Sequence, residues 1–425
     1  MVTSQGCAPR SSHDRDYVSR KIEERTGRSL SAEGKPGEFR IPPGVDLNRL
    51  SEDDAVAVAL WDNAALQRDL ADLGFSRADL LESGLLKNPV FSIFFPLGPK
   101  QMEFTLTAPF EALWQRPRRM SIAKLSAEAT AERLVQNGLG LAGQVRVAFA
   151  ELWLAEEKAK LAAEALQVHS QIEEIADARL RAGDISEAEA VAIRSRTAMA
   201  RDEARSSKIE IAIAKERLRA LMGVGLTDAP VQIAASPLPA AQVPEPAPLM
   251  KMALASRPDL RAAELQLEAA GKRLGLEQSK IIAIAGMLDA NAEGREGFEA
   301  GPGILATLPF FDANQGGTAR ARAEMQRAAH HYVEIQRQIA LEVFGARNRL
   351  LQARESLETW RTTILPSLEQ AQKAAQQAYA VGEASYLEVL EATRELLLGR
   401  VRACTLEADL RREWARLEQA VGRKL

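Results

Sequence analysis

Proline leaves two long stretches of this chain untouched: none occurs between Pro117 and Pro230, and only Pro366 interrupts the run from Pro309 to Leu425. Proline inside a helix removes a hydrogen bond and clashes with the preceding turn, so its absence over such lengths permits long helices. Composition turns permission into expectation. Hydrophobic residues make up 46% of the chain but aromatics only 5%, and Ala and Leu set among Glu, Arg, Gln and Lys are the mixture of long helices. Apolar residues recur three and four apart, as in Leu397, Val401, Cys404 and then Leu410, Trp414, Leu417, Val421. Such a seam needs a partner helix. At about 1.5 Å per residue, a helix from near Arg119 to near Arg181 would be roughly 90 Å long, too long for a compact globule.

Several function classes fall away. Lys and Arg number 55 against 58 Asp and Glu, a net charge of -3, so the chain lacks the basic field that a nucleic-acid partner requires. Two cysteines, Cys7 and Cys404, make no disulfide framework, and four scattered histidines make no metal cluster. His330 and His331 fall about 100° apart on a helix and read as surface or seam residues, and Cys404 as a small core residue. The longest apolar run, Ile281 to Leu288, has eight residues, so any membrane crossing must use strands. The sequence contains no G-x-S-x-G, P-loop, H-E-x-x-H or Cys-x-x-Cys, which agrees with the absence of an enzyme activity and of a cofactor implied by the resemblance described below.

The chain repeats itself. Leu60 to Leu66 is spaced like Leu254 to Leu260, and Ala108-Pro109-Phe110 echoes Leu308-Pro309-Phe310. Gly183-Asp184-Ile185-Ser186 echoes Gly382-Glu383-Ala384-Ser385, and each of these glycines is followed 40 residues later by another, Gly223 and Gly422. Ordered anchors at near-constant offset indicate an internal duplication. The division expected is an N-terminal segment 1–50, extended; a first repeat 51–223; a Pro-rich connector 224–249; and a second repeat 250–425.

Each repeat carries a strand-like interruption before its long helix. Gln101 to Ala108 alternates completely, with Met102, Phe104, Leu106 and Ala108 on one face and Gln101, Glu103, Thr105 and Thr107 on the other. Val90 to Leu97 is its expected partner, through a turn at Gly98-Pro99-Lys100. In the second repeat the candidates are Lys280 to Ala290 and Gly303 to Phe310, with a loop containing Gly294, Gly297 and Gly301 between them. An oily and a wet face suit a transmembrane barrel or a strand covering a soluble core. Two hairpins cannot close a barrel alone, so several chains must pool them.

Leu50-Ser-Glu-Asp-Asp-Ala-Val-Ala-Val-Ala-Leu60 with Asn63 and Leu66, Gly84-Leu-Leu-Lys-Asn-Pro89, Phe298 to Gly303, Leu308-Pro-Phe-Phe-Asp312 with Gly316-Gly317, and Tyr379 to Glu391 together resemble TolC-like outer-membrane efflux proteins. The resemblance spans roughly Leu50 to Gly422. It implies a mainly helical chain whose coiled-coil hairpins build a trimeric periplasmic α-barrel, and whose four strands contribute to a 12-stranded outer-membrane β-barrel. The implied function is a passive exit duct for small molecules or metal ions, partnered by a periplasmic adaptor and an inner-membrane pump.

By that resemblance Gly183, Asp184 and Ser186 with Gly382, Glu383 and Ser385 form the helix tips where the adaptor docks, although a Gly followed by Ser is also an ordinary break between helices. Glu388 and Glu391, one turn apart, would line the periplasmic constriction, or form a solvated acidic face; Tyr379 would help hold the constriction closed. Ala384 stands where some relatives carry a gate-locking arginine. Met102, Phe104 and Leu106 would face lipid. Cys7, after Ser4-Gln5-Gly6, resembles a lipidation site without the preceding apolar stretch. A duct for secreted polypeptides and a non-membrane coiled-coil scaffold remain alternatives.

Overall fold

The structure is a computed structural model and describes all residues except 1–11, 32–33, 36, 96, 98–101, 226–228, 235, 239–242, 282 and 294–296. Cys7 and the expected turn at 98–100 lie outside the described residues. The elements follow in the order α1 (Arg15–Thr26), α2 (Glu52–Asp62), α3 (Ala64–Leu70), α4 (Asp72–Gly84), β1 (Val90–Phe94), β2 (Met102–Pro109), α5 (Glu111–Ala182) and α6 (Glu187–Leu221). The second half continues with α7 (Pro246–Ser256), α8 (Pro258–Gln278), β3 (Ala283–Glu293), β4 (Gly297–Thr307), α9 (Gln315–Thr359), α10 (Leu365–Ala380) and α11 (Tyr386–Val421). Short helices, a hairpin and long helices thus recur in order.

The chain forms two compact units, each drawing on both repeats. One comprises Arg68–Gln136 and Arg257–Gln338 with the segment ending at Lys21, the other Ile22–Gln67, Asn137–Ser256 and Ile339–Leu425. The first holds a four-stranded antiparallel sheet in the order β1-β2-β3-β4. The two hairpins meet where β2 pairs with β3, Thr105 opposite Asp289 and Leu106 opposite Leu288. Because paired residues share a face, register sorts the sheet. Phe91, Ile93, Met102, Phe104, Leu106, Leu288, Ala290, Pro302 and Ile304 fall on one side; Glu103, Thr105, Asp289, Asn291 and Glu299 fall on the other, with Val90, Phe94, Met287 and Leu305 among them.

The oily side is exposed. Phe91 is 59% exposed, Leu288 49% and Ile304 76%, while Phe104 stacks on Phe91 at 6.2 Å between ring centroids. The polar side is knitted by Thr105 Oγ1 donating to Asp289 Oδ1 at 2.9 Å. Below the sheet, Leu125 and Ala129 of α5 pack against Leu265 and Ala269 of α8.

The second unit is helical. Its core is built by Phe149 and Leu152 of α5, Leu218 of α6, Ile339 and Leu350 of α9 and Leu417 of α11, all fully buried. At its centre Arg146 of α5, 7% exposed, is ion-paired with Glu418 of α11 and lies 3.4 Å from Glu52 and 3.5 Å from Asp53 at the start of α2. Burial pushes the Glu52 carboxyl up despite Arg146; burial also pushes on Asp53, but the bond and charge of Lys424 together with Arg146 and Arg28 more than offset it and hold that carboxyl down. Three arginines hold the Pro-rich connector through its carbonyls: Arg219 at Ala229, Arg411 at Ser236 and Arg347 at Pro244. Leu50 and Ile233 add a parallel bridge.

Several expected boundaries move. The helix expected from near Arg119 begins at Glu111 and takes in Pro117 as its seventh residue, at the cost of the bond its N–H would have given the Leu113 carbonyl. The connector stops short of 249, because Pro246 opens α7 and Pro248 lies in its first turn, where a missing N–H costs nothing. The segment 1–50 is not all extended, since Arg15–Thr26 is helical with Val18 and Ile22 fully buried. In the second hairpin, β4 begins at Gly297 rather than Gly303 and ends at Thr307, and Ser279–Ile281 is a 3-10 turn rather than strand. Gly297 and Gly301 are therefore strand residues on the polar side, where no side chain has to pack. A π-helical turn at Trp360–Ile364 precedes Pro366 and joins α9 to α10.

Removing Arg146 would leave Glu418, itself 5% exposed, as an uncompensated buried carboxylate. Arg146→Ala should therefore lower stability by about 3–5 kcal/mol, read as an earlier thermal transition of the detergent-solubilised protein by circular dichroism.

Candidate functional site: the helical tips

Two helix-to-helix turns stand at equivalent places in the repeats. α5 ends with Gly183 at φ 85° and α10 is followed by Gly382 at φ 82°, a left-handed backbone that costs Gly least. Asp184 N–H donates to the Arg179 carbonyl at 2.9 Å and Glu383 N–H to the Ala378 carbonyl at 2.8 Å, each closing a Schellman turn. The next helix then starts on a serine cap. Ser186 Oγ accepts from Glu189 N–H at 3.2 Å, and Ser385 Oγ from Glu388 N–H at 3.4 Å. The offset is 199 residues in both pairs, so duplication extends to the capping chemistry.

The expected constriction carboxylates do not share one environment. Glu388 closes a capping box: its Oε1 accepts from Ser385 Oγ at 3.0 Å and from Ser385 N–H at 3.4 Å. Glu391 lines a small cavity with His169 and Ile172 of α5, Arg196 of α6, and Leu390 and Arg394 of α11. The two glutamates thus share a helix but not a job. Tyr379 pairs with Tyr386, ring centroids 5.4 Å apart, a partner the sequence reading missed although both tyrosines bracket Gly382.

Both tyrosines, with Ala384 and Ser385, face Asp184, Arg179 and Arg196 across a groove of about 470 Å³ floored by Ile175, Ile193 and Leu390. Gly183, Gly382 and Glu383 are exposed at its ends. Among the described residues no group of three or more His, Cys, Asp or Glu could hold a metal ion. The groove is amphipathic and lies between capped helix ends.

Residues 249–423 match the family described as outer membrane efflux protein. Across 87% of this chain and 90% of the relative, identity is 25% to the cobalt-zinc-cadmium resistance protein CzcC of Cupriavidus metallidurans. The outer-membrane channel OprN superposes with a TM-score of 0.75 at 18% identity, over 92% of this chain and 98% of that one. The outer membrane protein VceC of Vibrio cholerae gives 0.72 at 18%, over 88% and 96%. The chain is thus similar to outer membrane efflux proteins in its second half by family model and over most of its length by relatives and fold. Outer membrane efflux proteins place their strands in the outer membrane and their helices in the periplasm, so the tips lie at the end of the helices remote from the sheet in sequence.

The small cavity predicts a pH response. Burial and then the facing Arg196 and Arg394 guanidinium groups push the His169 imidazole below its ordinary value of 6.5. The packed state therefore binds fewer protons than a separated one, and the packing of α5 and α6 on α11 is fully stabilised at high pH. It weakens as pH falls below about 6.5. Spin labels on Ala188→Cys and Gln376→Cys, in a protein without its native cysteines, should move apart between about pH 7.5 and about pH 5.5. In His169→Gln the distance should stay constant.

Proposed function

We propose that three copies of this chain assemble into a passive exit duct for divalent metal cations across the outer membrane. The observation that carries this reading is the sheet: edge strands β1 and β4, one exposed oily face, and a second face on which the charged residues Glu103, Asp289 and Glu299 are all acidic. Pooling four strands from each of three chains would close a 12-stranded barrel, with Met102, Phe104 and Leu106 against lipid and the carboxylates toward water. The relative named for cobalt, zinc and cadmium resistance supports cations as cargo.

The tips are the docking place for a periplasmic adaptor, through which an inner-membrane pump supplies the cargo. Gly183, Asp184, Ser186, Gly382, Glu383 and Ser385 shape the docking ends. Tyr379 and Tyr386 hold the closed tip, and Glu391 and Glu388 give the constriction its negative charge. Passage depends on opening rather than on catalysis, so the protein is not an enzyme.

Planar-bilayer recording tests the cargo. Glu103→Gln/Asp289→Asn/Glu299→Gln should lose cation preference, and so should Glu388→Gln/Glu391→Gln, in which Gln can still close the capping box. Screening should erode the wild-type preference as the Debye length falls toward about 3 Å at 1 M salt. Unchanged selectivity and unchanged block by a trivalent cation in both variants would refute cation transport.

The wall is tested separately. Phe104→Lys should cost about 2–4 kcal/mol and impair membrane insertion, while Thr105→Lys on the other face should insert normally. Equal insertion of both would refute the assigned faces.

A further inference from the structure

The oily face of the sheet does not stop at the strand ends. Beyond β2, Phe110 and Leu113 are 44% and 61% exposed and Trp114 is 39% exposed; beyond β4, Phe310 and Phe311 are 80% and 98% exposed. Phe110 is fixed to the sheet by its N–H, which donates to the Ile284 carbonyl at 2.8 Å. Its ring lies over Gly286, where a Cβ would fall 2.3 Å from Cζ. This apolar collar is followed within one or two turns of α5 by Arg116, Arg118 and Arg119.

Each of these three arginines is held by a backbone carbonyl. Arg116 donates to the Gly84 carbonyl at 2.7 Å and Arg119 to the Leu85 carbonyl at 3.3 Å, at the C-terminal end of α4; Arg118 donates to the Gly275 carbonyl at 3.1 Å on α8. Those bonds position the guanidinium groups. Among the described residues none of the three forms an ion pair with a carboxylate. Each guanidinium has five donors in a planar fork, so each keeps donors for an anion. Three positive charges beside an aromatic and aliphatic collar, continuous with a lipid-facing wall, are complementary to a phospholipid: phosphate at the charges, glycerol and upper acyl chain at the rings.

We propose that Arg116, Arg118 and Arg119 with Trp114 form a binding surface for phospholipid headgroups of the periplasmic leaflet, the phosphodiester being the recognised group. The surface locks the depth of the barrel: aromatic rings fix the interface, and the arginines seize the phosphates just beyond it. The same bonds tie the ends of α4 and α8 to α5, so lipid would be held where the chain passes from helix to strand. This inference rests on the lipid-facing reading of the sheet.

The test uses the detergent-solubilised full-length protein with phosphatidylglycerol, read as lipid molecules retained per assembly by native mass spectrometry. Arg116→Gln/Arg118→Gln/Arg119→Gln should retain less, by about fivefold for each charge removed, and the triple Arg→Lys variant should recover much of the loss. Equal retention by the Gln variant and wild type overturns the proposal, as does displacement of lipid by an equal concentration of inorganic phosphate, which would mark a free-anion site. Should the Gln variant not fold, wild type and Trp114→Phe in vesicles of a phospholipid brominated near the headgroup decide. Quenching that is present in wild type and reduced in Trp114→Phe supports the surface; no difference overturns it. Flotation of the same samples separates the two readings. Protein that floats with vesicles but shows no arginine-dependent retention overturns only the headgroup surface, whereas protein that does not float overturns the lipid-facing wall as well.

Discussion

Everything in this chain answers to a sheet that cannot be satisfied where it stands. β1 and β4 each present an edge of unpaired N–H and C=O groups, and one face is oily and bare. An exposed edge is a template for aggregation unless closed, covered or charged, and these strands carry no Lys or Arg to protect it. Closure by further copies removes both edges at once, and a lipid exterior accepts the oily face. The helices inherit the requirement. With strands supplied in fours by separate copies, each helix leaving the sheet must find neighbours in other copies too, which agrees with Leu341, Phe344, Ile209 and Ile213 being more than half exposed.

Duplication explains why the solution is modular. Gly183 and Gly382, Ser186 and Ser385, Glu189 and Glu388 occupy the same steps of the same turn, but the copies have diverged in what surrounds that turn. Only the second serine gains a full capping box, and only the second turn is bracketed by the tyrosine pair. The cavity beside Glu391 joins the two hairpins through His169 and two arginines, so the contact most sensitive to charge is one between the repeats rather than within either.

The fold was legible wherever one periodicity ran without exception. Met102 to Ala108 alternates at every position, and its strand and faces were placed to within a residue. β4 was misplaced because Gly297, Gly301, Pro302 and Gly303 spell a loop to any propensity argument, whereas strand pairing with β3 decides the matter through backbone bonds that composition does not encode. Helix starts were misjudged at Pro246 and Pro248 for one reason: proline near a helix start is permitted, so it does not mark the boundary. The site was harder. Glycine turns are local and could be read, but Glu388 and Glu391 differ through a cap and a neighbouring hairpin, and the Tyr379–Tyr386 pair forms only when the turn brings position 386 back upon 379.

Under the proposed function, the polar face of the sheet would let a duct favour cations without trapping them. Glu103, Asn291 and Glu299 lie in one cross-strand row, and Asp289 lies two residues along from Asn291. With strands about 4.8 Å apart and about 3.3 Å per residue, neighbouring carboxylates stand roughly 7–10 Å from one another. Among the described residues these carboxylates belong to no group of three or more that could hold a metal ion, and Asp289 is already partly satisfied by the Thr105 hydroxyl. Conduction requires sites favourable enough to enter and weak enough to leave. In the proposed cation duct, separate carboxylates of this kind supply that balance, and a residue change that drew two carboxylates onto adjacent positions of one row would shift the duct from passage toward capture.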